Sequence, residues 1–151
     1  MEADGPPPYE VIEHTADVGI VVHGATLADL FSNAALGMFA LMADLAGVEE
    51  RSERSVELEG SDWGGLLVKW LSELLFFLDA EELLLSRFQI DRLEPFDSAQ
   101  GRLYRLKARA YGEPIDRGRH QLRFGVKAVT RHMLEVRQED GRWRAQVLFD
   151  I

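Results

Sequence analysis

The stretch FGVKAVTRHMLEVRQEDGRWRAQVLFDI, residues 124–151, decides how the rest of the chain is read. Asp140-Gly141 is a strong two-residue hairpin signal, and the segments on either side alternate apolar with polar residues as half-buried strands do. Closing that turn fixes a register: Val136 faces Ala145, Leu134 faces Val147, His132 faces Phe149 and Thr130 faces Ile151, so the apolar pairs share one face. The same register sets Arg131 directly opposite Asp150 on the other face, with Lys127 nearby. His132 is then expected to pack within the hairpin.

Working back from the hairpin, Tyr9 to His14 and Val18 to Gly24 read as two short strands, the second apolar on both faces and therefore central in a sheet. Thr26 opens a helix, its hydroxyl suited to cap free amides and Asp29 suited to the positive helix start. Leu27, Leu30, Phe31, Ala34, Ala35, Met38, Phe39 and Met42 follow helical spacing, giving a helix over about 26–43. Ser55 to Glu59 alternates as a half-buried strand. Ser61 or Asp62 caps a second helix over about 62–84, in which Leu67, Trp70, Leu71, Leu74, Leu75 and Leu78 form one face. Phe76 falls on its polar side with Lys69, Ser72 and Glu73, where a covering loop is expected.

Phe88 to Leu93, Leu103 to Tyr111 and Phe124 to Arg137 supply further strands, with Arg105, Lys107 and Arg109 as an outward basic row. Gly112 to Arg123 reads as a polar loop. Too few strand-to-strand connections are helical for a doubly wound sheet. The expectation is an α+β, single-domain, two-layer sandwich of mainly antiparallel sheet and two helices, spanning 9–151 after a flexible N-terminal segment 1–8.

Composition narrows the function classes. A chain of 151 residues, 46% hydrophobic, suits one domain with a sizeable core. It has no cysteine, which removes disulfides, thiolate zinc sites and cysteine nucleophiles and fits a reducing cytoplasm. The opening residues, with Pro6-Pro7-Pro8, lack the basic start and apolar core of a signal peptide. Lys69, Glu73, Asp79, Glu81 and Glu82 interrupt the most apolar run, so it reads as a helix of a soluble protein, not a membrane span. Net charge is -9, yet residues 1–50 carry no Lys or Arg and Arg102 to Arg131 hold only Glu113 and Asp116 as acids. That balance disfavours tight unaided binding to RNA or DNA and favours a basic protein partner.

No phosphate-binding glycine loop, His-Glu-x-x-His helix or Gly-x-Ser-x-Gly elbow occurs. None of His14, His23, His120 and His132 has a histidine partner at metal-ligand spacing. Asp17, at the mouth of one strand, and Asp150, beside the terminal carboxylate, are hard oxygen donors of the kind divalent cations take. On residue types alone, Asp17 equally suits a turn between strands and Asp150 an exposed strand end.

His14-Thr15-Ala16-Asp17-Val18-Gly19-Ile20, Trp70-Leu71-Ser72-Glu73-Leu74-Leu75, Gly112-Glu113, Val126-Lys127-Ala128-Val129-Thr130 with His132, and Phe149-Asp150-Ile151 together resemble the archease family, from Tyr9 to Ile151. The resemblance implies a non-catalytic activator of the RtcB-type RNA ligase, which joins RNA 3′-phosphate or 2′,3′-cyclic phosphate ends to 5′-hydroxyl ends in tRNA splicing and repair. It implies promotion of ligase guanylylation and multiple turnover, with RNA met only through the ligase. By motif it implies a divalent-metal site of Asp17, Asp150 and Ile151, with calcium first and magnesium or manganese as substitutes. On a mechanism in which the acidic end docks at the ligase, Lys127, His14, Glu113 and His132 are candidates for the contact surface, although Lys127 equally suits a solvated strand position.

Arg131 departs from the pattern, since the family usually carries tyrosine there. Across from Asp150, its guanidinium would compete with a cation and weaken metal binding without abolishing it. Two other classes stand beside the activator: a stand-alone metal-dependent phosphoester hydrolase with His14 or His132 as base, and a chaperone or adaptor whose metal is purely structural.

Overall fold

The computed structural model describes residues 5–14 and 17–151. Strands β1 (Tyr9–His14) and β2 (Asp17–Gly24) lead into helix α1 (Leu27–Met42), followed by β3 (Ser52–Gly60), helix α2 (Trp63–Glu81), β4 (Leu83–Ser98), β5 (Gly101–Pro114), β6 (Ala128–Glu139) and β7 (Arg142–Asp150). All strand pairs are antiparallel. They divide into a four-stranded sheet in the order β1-β2-β7-β6 and a three-stranded sheet in the order β3-β5-β4. The expected α+β class and helix positions are found, but the strands form two separate sheets with the helices between them, three layers where two were expected.

The helices join the two sheets. α1 packs on β2 and on β4, α2 packs on β6 and on β3, and among the described residues no strand of one sheet approaches a strand of the other. A helix covered on both sides must be apolar nearly all round. In α1 nothing from Leu30 to Met42 is exposed. Small residues make room for it: a Cβ on Gly37 would lie 3.1 Å from both Ile20 and Tyr9 side-chain carbons. Inside the core the Trp70 indole N–H donates to the Phe31 carbonyl at 2.9 Å, tying the two helices together, and the Trp70 and Phe39 rings both pack on Phe88.

The helix starts follow the capping chemistry of the sequence. The Asp29 N–H donates to the Thr26 hydroxyl at 3.0 Å and the Gly65 N–H to Asp62 at 2.6 Å, so Asp62, not Ser61, caps α2. α2 ends at Glu81 because Glu82 turns left-handed (φ 54°), its N–H donating to the Phe77 carbonyl; Leu83 and Leu84, expected to be helical, instead open β4. The strand predicted to start at Phe124 starts at Ala128, and β4 and β5 run well beyond their predicted ends into a long hairpin. Phe76 remains 54% exposed, without the covering loop expected for it.

The register of β2 against β7 depends on one glycine. On the core face Val18, Ile20 and Val22 oppose Phe149, Val147 and Ala145; on the outer face Gly19 opposes Leu148. A Cβ at Gly19 would lie 2.4 Å from a Leu148 methyl and 2.7 Å from the Val147 carbonyl oxygen. Gly19→Ala should therefore destabilise the protein by about 1–3 kcal/mol, the usual cost of overpacking, read as a lower melting temperature by circular dichroism. An unchanged melting temperature would show that these strands are not pressed together here.

Candidate metal centre

β2 and β7 are the middle strands of the larger sheet, and their register makes Asp17 and Asp150 direct cross-strand partners. Residues directly opposite in an antiparallel ladder project from the same face, with Cβ atoms about 5 Å apart. Their neighbours Val18 and Phe149 turn into the core, so both carboxylates project from the outer face. The row extends across the sheet, since the backbone of His14 pairs with Asp17 and Ala128 pairs with Asp150. The Lys127 N–H donates to the Asp150 carbonyl at 2.7 Å, fastening the end of β7 to the start of β6. Asp17 is half-buried, Asp150 exposed, and Ile151, the next residue, is 38% exposed.

Two carboxylates facing each other across a ladder repel one another unless a cation lies between them. No ion pair among the described residues uses either one. The donors are all anionic oxygens, which fits a hard divalent cation such as calcium, magnesium or manganese better than a metal seeking nitrogen or sulfur. Among the described residues no three His, Cys, Asp or Glu side chains gather to hold an ion.

The predicted opposition of Arg131 and Asp150 is not found. The ladder runs as expected from the turn to Glu135 opposite Gln146, then shifts, and resumes with Thr130 opposite Leu148. Arg131 to Leu134 thus bulge out against the single residue Val147, three more than a plain ladder allows. Met133 adopts a left-handed backbone (φ 56°), its carbonyl accepts from the Gln146 amide at 3.0 Å, and the Thr130 hydroxyl donates to the Leu148 carbonyl at 3.1 Å. Ala128 consequently occupies the position across from Asp150. The Arg131 guanidinium lies beside the start of α2, 3.4 Å from where a Cβ on Gly65 would sit, and the expected competition with a cation lapses. His132, expected to pack within the hairpin, is exposed in the bulge with its N–H on the Thr130 hydroxyl.

With this geometry in view, comparisons with known proteins identify the relatives. Residues 9–151 match the model of the Archease protein family. The chain belongs to the archease family. The archease of Methanothermobacter thermautotrophicus is 42% identical over 143 residues, covering 95% of this chain and 98% of its own length. That of Methanosarcina mazei is 38% identical over 143 residues, 95% of each chain. The solution structure of Methanobacterium thermoautotrophicum protein 1598 is 40% identical, covers 95% of this chain and 99% of its own, and superposes with a TM-score of 0.80. A Thermotoga maritima crystal structure, described as an archease and possible chaperone, is 16% identical with a TM-score of 0.59 over the full length of both chains, a likeness of fold alone.

The remaining motif residues of this archease-family chain divide between surface and interior. Lys127 is exposed next to the acidic pair, and the side chain of His14 lies outside the described residues. Glu113 is 1% exposed, and its carboxylate accepts from the Arg119 guanidinium at 2.5 Å, the Glu49 N–H at 2.8 Å and the His120 ring at 2.9 Å. Because the Asp116 N–H donates to His120 Nδ1, the ring proton sits on Nε2 and points at Glu113. Arg119 also donates to the Gly47 carbonyl, so one buried acid binds two loops together. Glu113 bears on any contact surface only through those loops. Sequence reading missed this network; its one signal was an acid between Gly112 and Pro114 at the end of an apolar strand.

The Arg119 guanidinium first, then the Glu49 N–H, lower the Glu113 carboxyl from 4.5 to about 2. A depressed folded-state pKa gives stability that is complete above the unfolded value near 4.5 and lost as pH falls toward about 2. Urea titrations across that window should show the wild-type midpoint falling with acid, and a flatter dependence in Glu113→Gln. Parallel curves would mean that the carboxylate is not held as its contacts imply.

Proposed function

We propose that this chain is a non-catalytic protein cofactor of an RtcB-type RNA ligase in the cytoplasm, promoting guanylylation of the ligase and its multiple turnover in tRNA splicing and RNA repair. The observation that carries the reading is the in-register pairing of Asp17 with Asp150 beside the last residue, in a chain of the archease family. Asp17, Asp150 and the Ile151 carboxylate hold a divalent cation, calcium first, with magnesium or manganese as substitutes. Such an ion, when bound, supplies concentrated positive charge for phosphate oxygens. The chain's own contribution is alignment: the Lys127–Asp150 backbone bond keeps the final strand from fraying, so the two carboxylates stay opposed.

The exposure of Asp150 and Ile151 suits this end to entering a pocket of the partner. Lys127 and His132, both exposed on the β6 side, and His14, next to Asp17 in the row, are the candidate contacts around it. A net charge of -9 leaves RNA to be reached through the ligase, not bound directly.

In multiple-turnover ligation with the cognate ligase, Asp17→Ala and Asp150→Ala should lose most of the stimulation given by the wild type. Either variant stimulating fully would contradict the reading. Calcium should raise the melting temperature of the wild type and shift that of Asp150→Asn much less. Were the ion only a structural staple, stimulation would instead follow the folded fraction in every variant.

A further inference from the structure

A cleft of about 480 Å³ opens where the ends of α1 and α2 meet the connection between β5 and β6. Met42, Leu84 and Val126, all nearly buried, form its floor, and Leu78 lines it from α2. Leu122 and Phe124 line it from the connection and remain 38% and 48% exposed. They are held there by backbone bonds: Leu122 bridges Ala43, the Arg123 N–H donates to the Met42 carbonyl at 2.7 Å and the Phe124 N–H to the Leu41 carbonyl at 3.3 Å. Two large apolar side chains displayed on a pinned segment beside an apolar floor are what a partner buries favourably.

The charges around the cleft sharpen this. Asp79 and Glu82 stand on the α2 side, Arg117 and Arg123 on the connection side. Among the described residues none of the four enters an ion pair, while the nearby Arg119 is committed to Glu113. An apolar centre with a charged rim is the anatomy of a protein interface, and here the rim is acidic on one element and basic on another. The connection continues from Phe124 through Gly125 and Val126 to Lys127, whose N–H holds Asp150. Cleft and acidic row thus belong to one end of the molecule.

We propose that this cleft anchors the ligase. It takes a large apolar side chain from a ligase surface segment whose basic groups face Asp79 and Glu82 and whose acidic groups face Arg117 and Arg123. The proposal rests on the ligase-activation reading and adds to it the contact that keeps the Asp17–Asp150 end in position.

The test uses the full-length chain and its purified cognate RtcB-type ligase, with association measured by calorimetric titration and stimulation by multiple-turnover ligation. Phe124→Asp should raise Kd by about tenfold or more, and Phe124→Ser, a milder change that keeps the fold if the aspartate does not, should raise it in the same direction. Arg117→Glu should slow association and flatten its salt dependence. If the folded Phe124 variants bind with the wild-type Kd, the cleft is not the anchor, whereas wild-type stimulation in the same assay leaves the activation reading standing. A wild type that neither binds nor stimulates would overturn both.

Discussion

The candidate site depends on the ladder between β2 and β7. Its core face is set by Val18, Ile20 and Val22 against Phe149, Val147 and Ala145, and a slip of one residue would turn that whole set to solvent. Its outer face is set by Gly19, where nothing larger fits beside Leu148 and the Val147 carbonyl. With both faces fixed, Asp17 has no partner position except Asp150. The hydrophobic core thereby holds two like charges in opposition, an arrangement that costs free energy in the bare protein and that a divalent cation relieves. Gly112 marks a second close approach: a Cβ there would lie 2.0 Å from the Leu84 carbonyl oxygen, and the next residue is the buried Glu113.

Much of this was legible in the chain itself. Thr26 and Asp62 marked the helix starts, helical spacing marked the buried faces, and Asp140-Gly141 marked the last hairpin with its pairing correct as far as Glu135. The bulge was not legible. Arg131 to Leu134 carries no glycine and continues the alternation well enough to read as plain strand, while the left-handed turn at Met133 is imposed by contacts with β7. One unmarked bulge moved Arg131 three places and removed the only expected departure from the family pattern at the acidic site. The pairing of Asp17 with Asp150 was beyond pattern and spacing, because it joins residues far apart in the sequence; only the family resemblance set them in one site.

Charge that looks segregated along the chain is rearranged by the fold. The basic row of β5 lies between acids on its neighbours: Arg105 pairs across to Glu59 and Glu94 with its guanidinium over the Phe96 ring, and Arg109 meets Asp91 at 2.9 Å. Arg109 in turn holds the Asp91 carboxyl below its ordinary range. That face is largely self-compensated and offers little to a polyanion. Charge without an ion-pair partner among the described residues includes the Asp17–Asp150 row and the rim of the cleft beside it.

The most direct test of the central claim is a manganese titration followed by amide resonances. Paramagnetic broadening falls steeply with distance, so an ion held between Asp17 and Asp150 should erase the amides of Asp17, Lys127, Asp150 and Ile151 first. The amides of Glu113 and His120 should persist, and Asp150→Asn should abolish the pattern. Broadening spread evenly over the acidic surface, or centred away from the end of β7, would contradict the account.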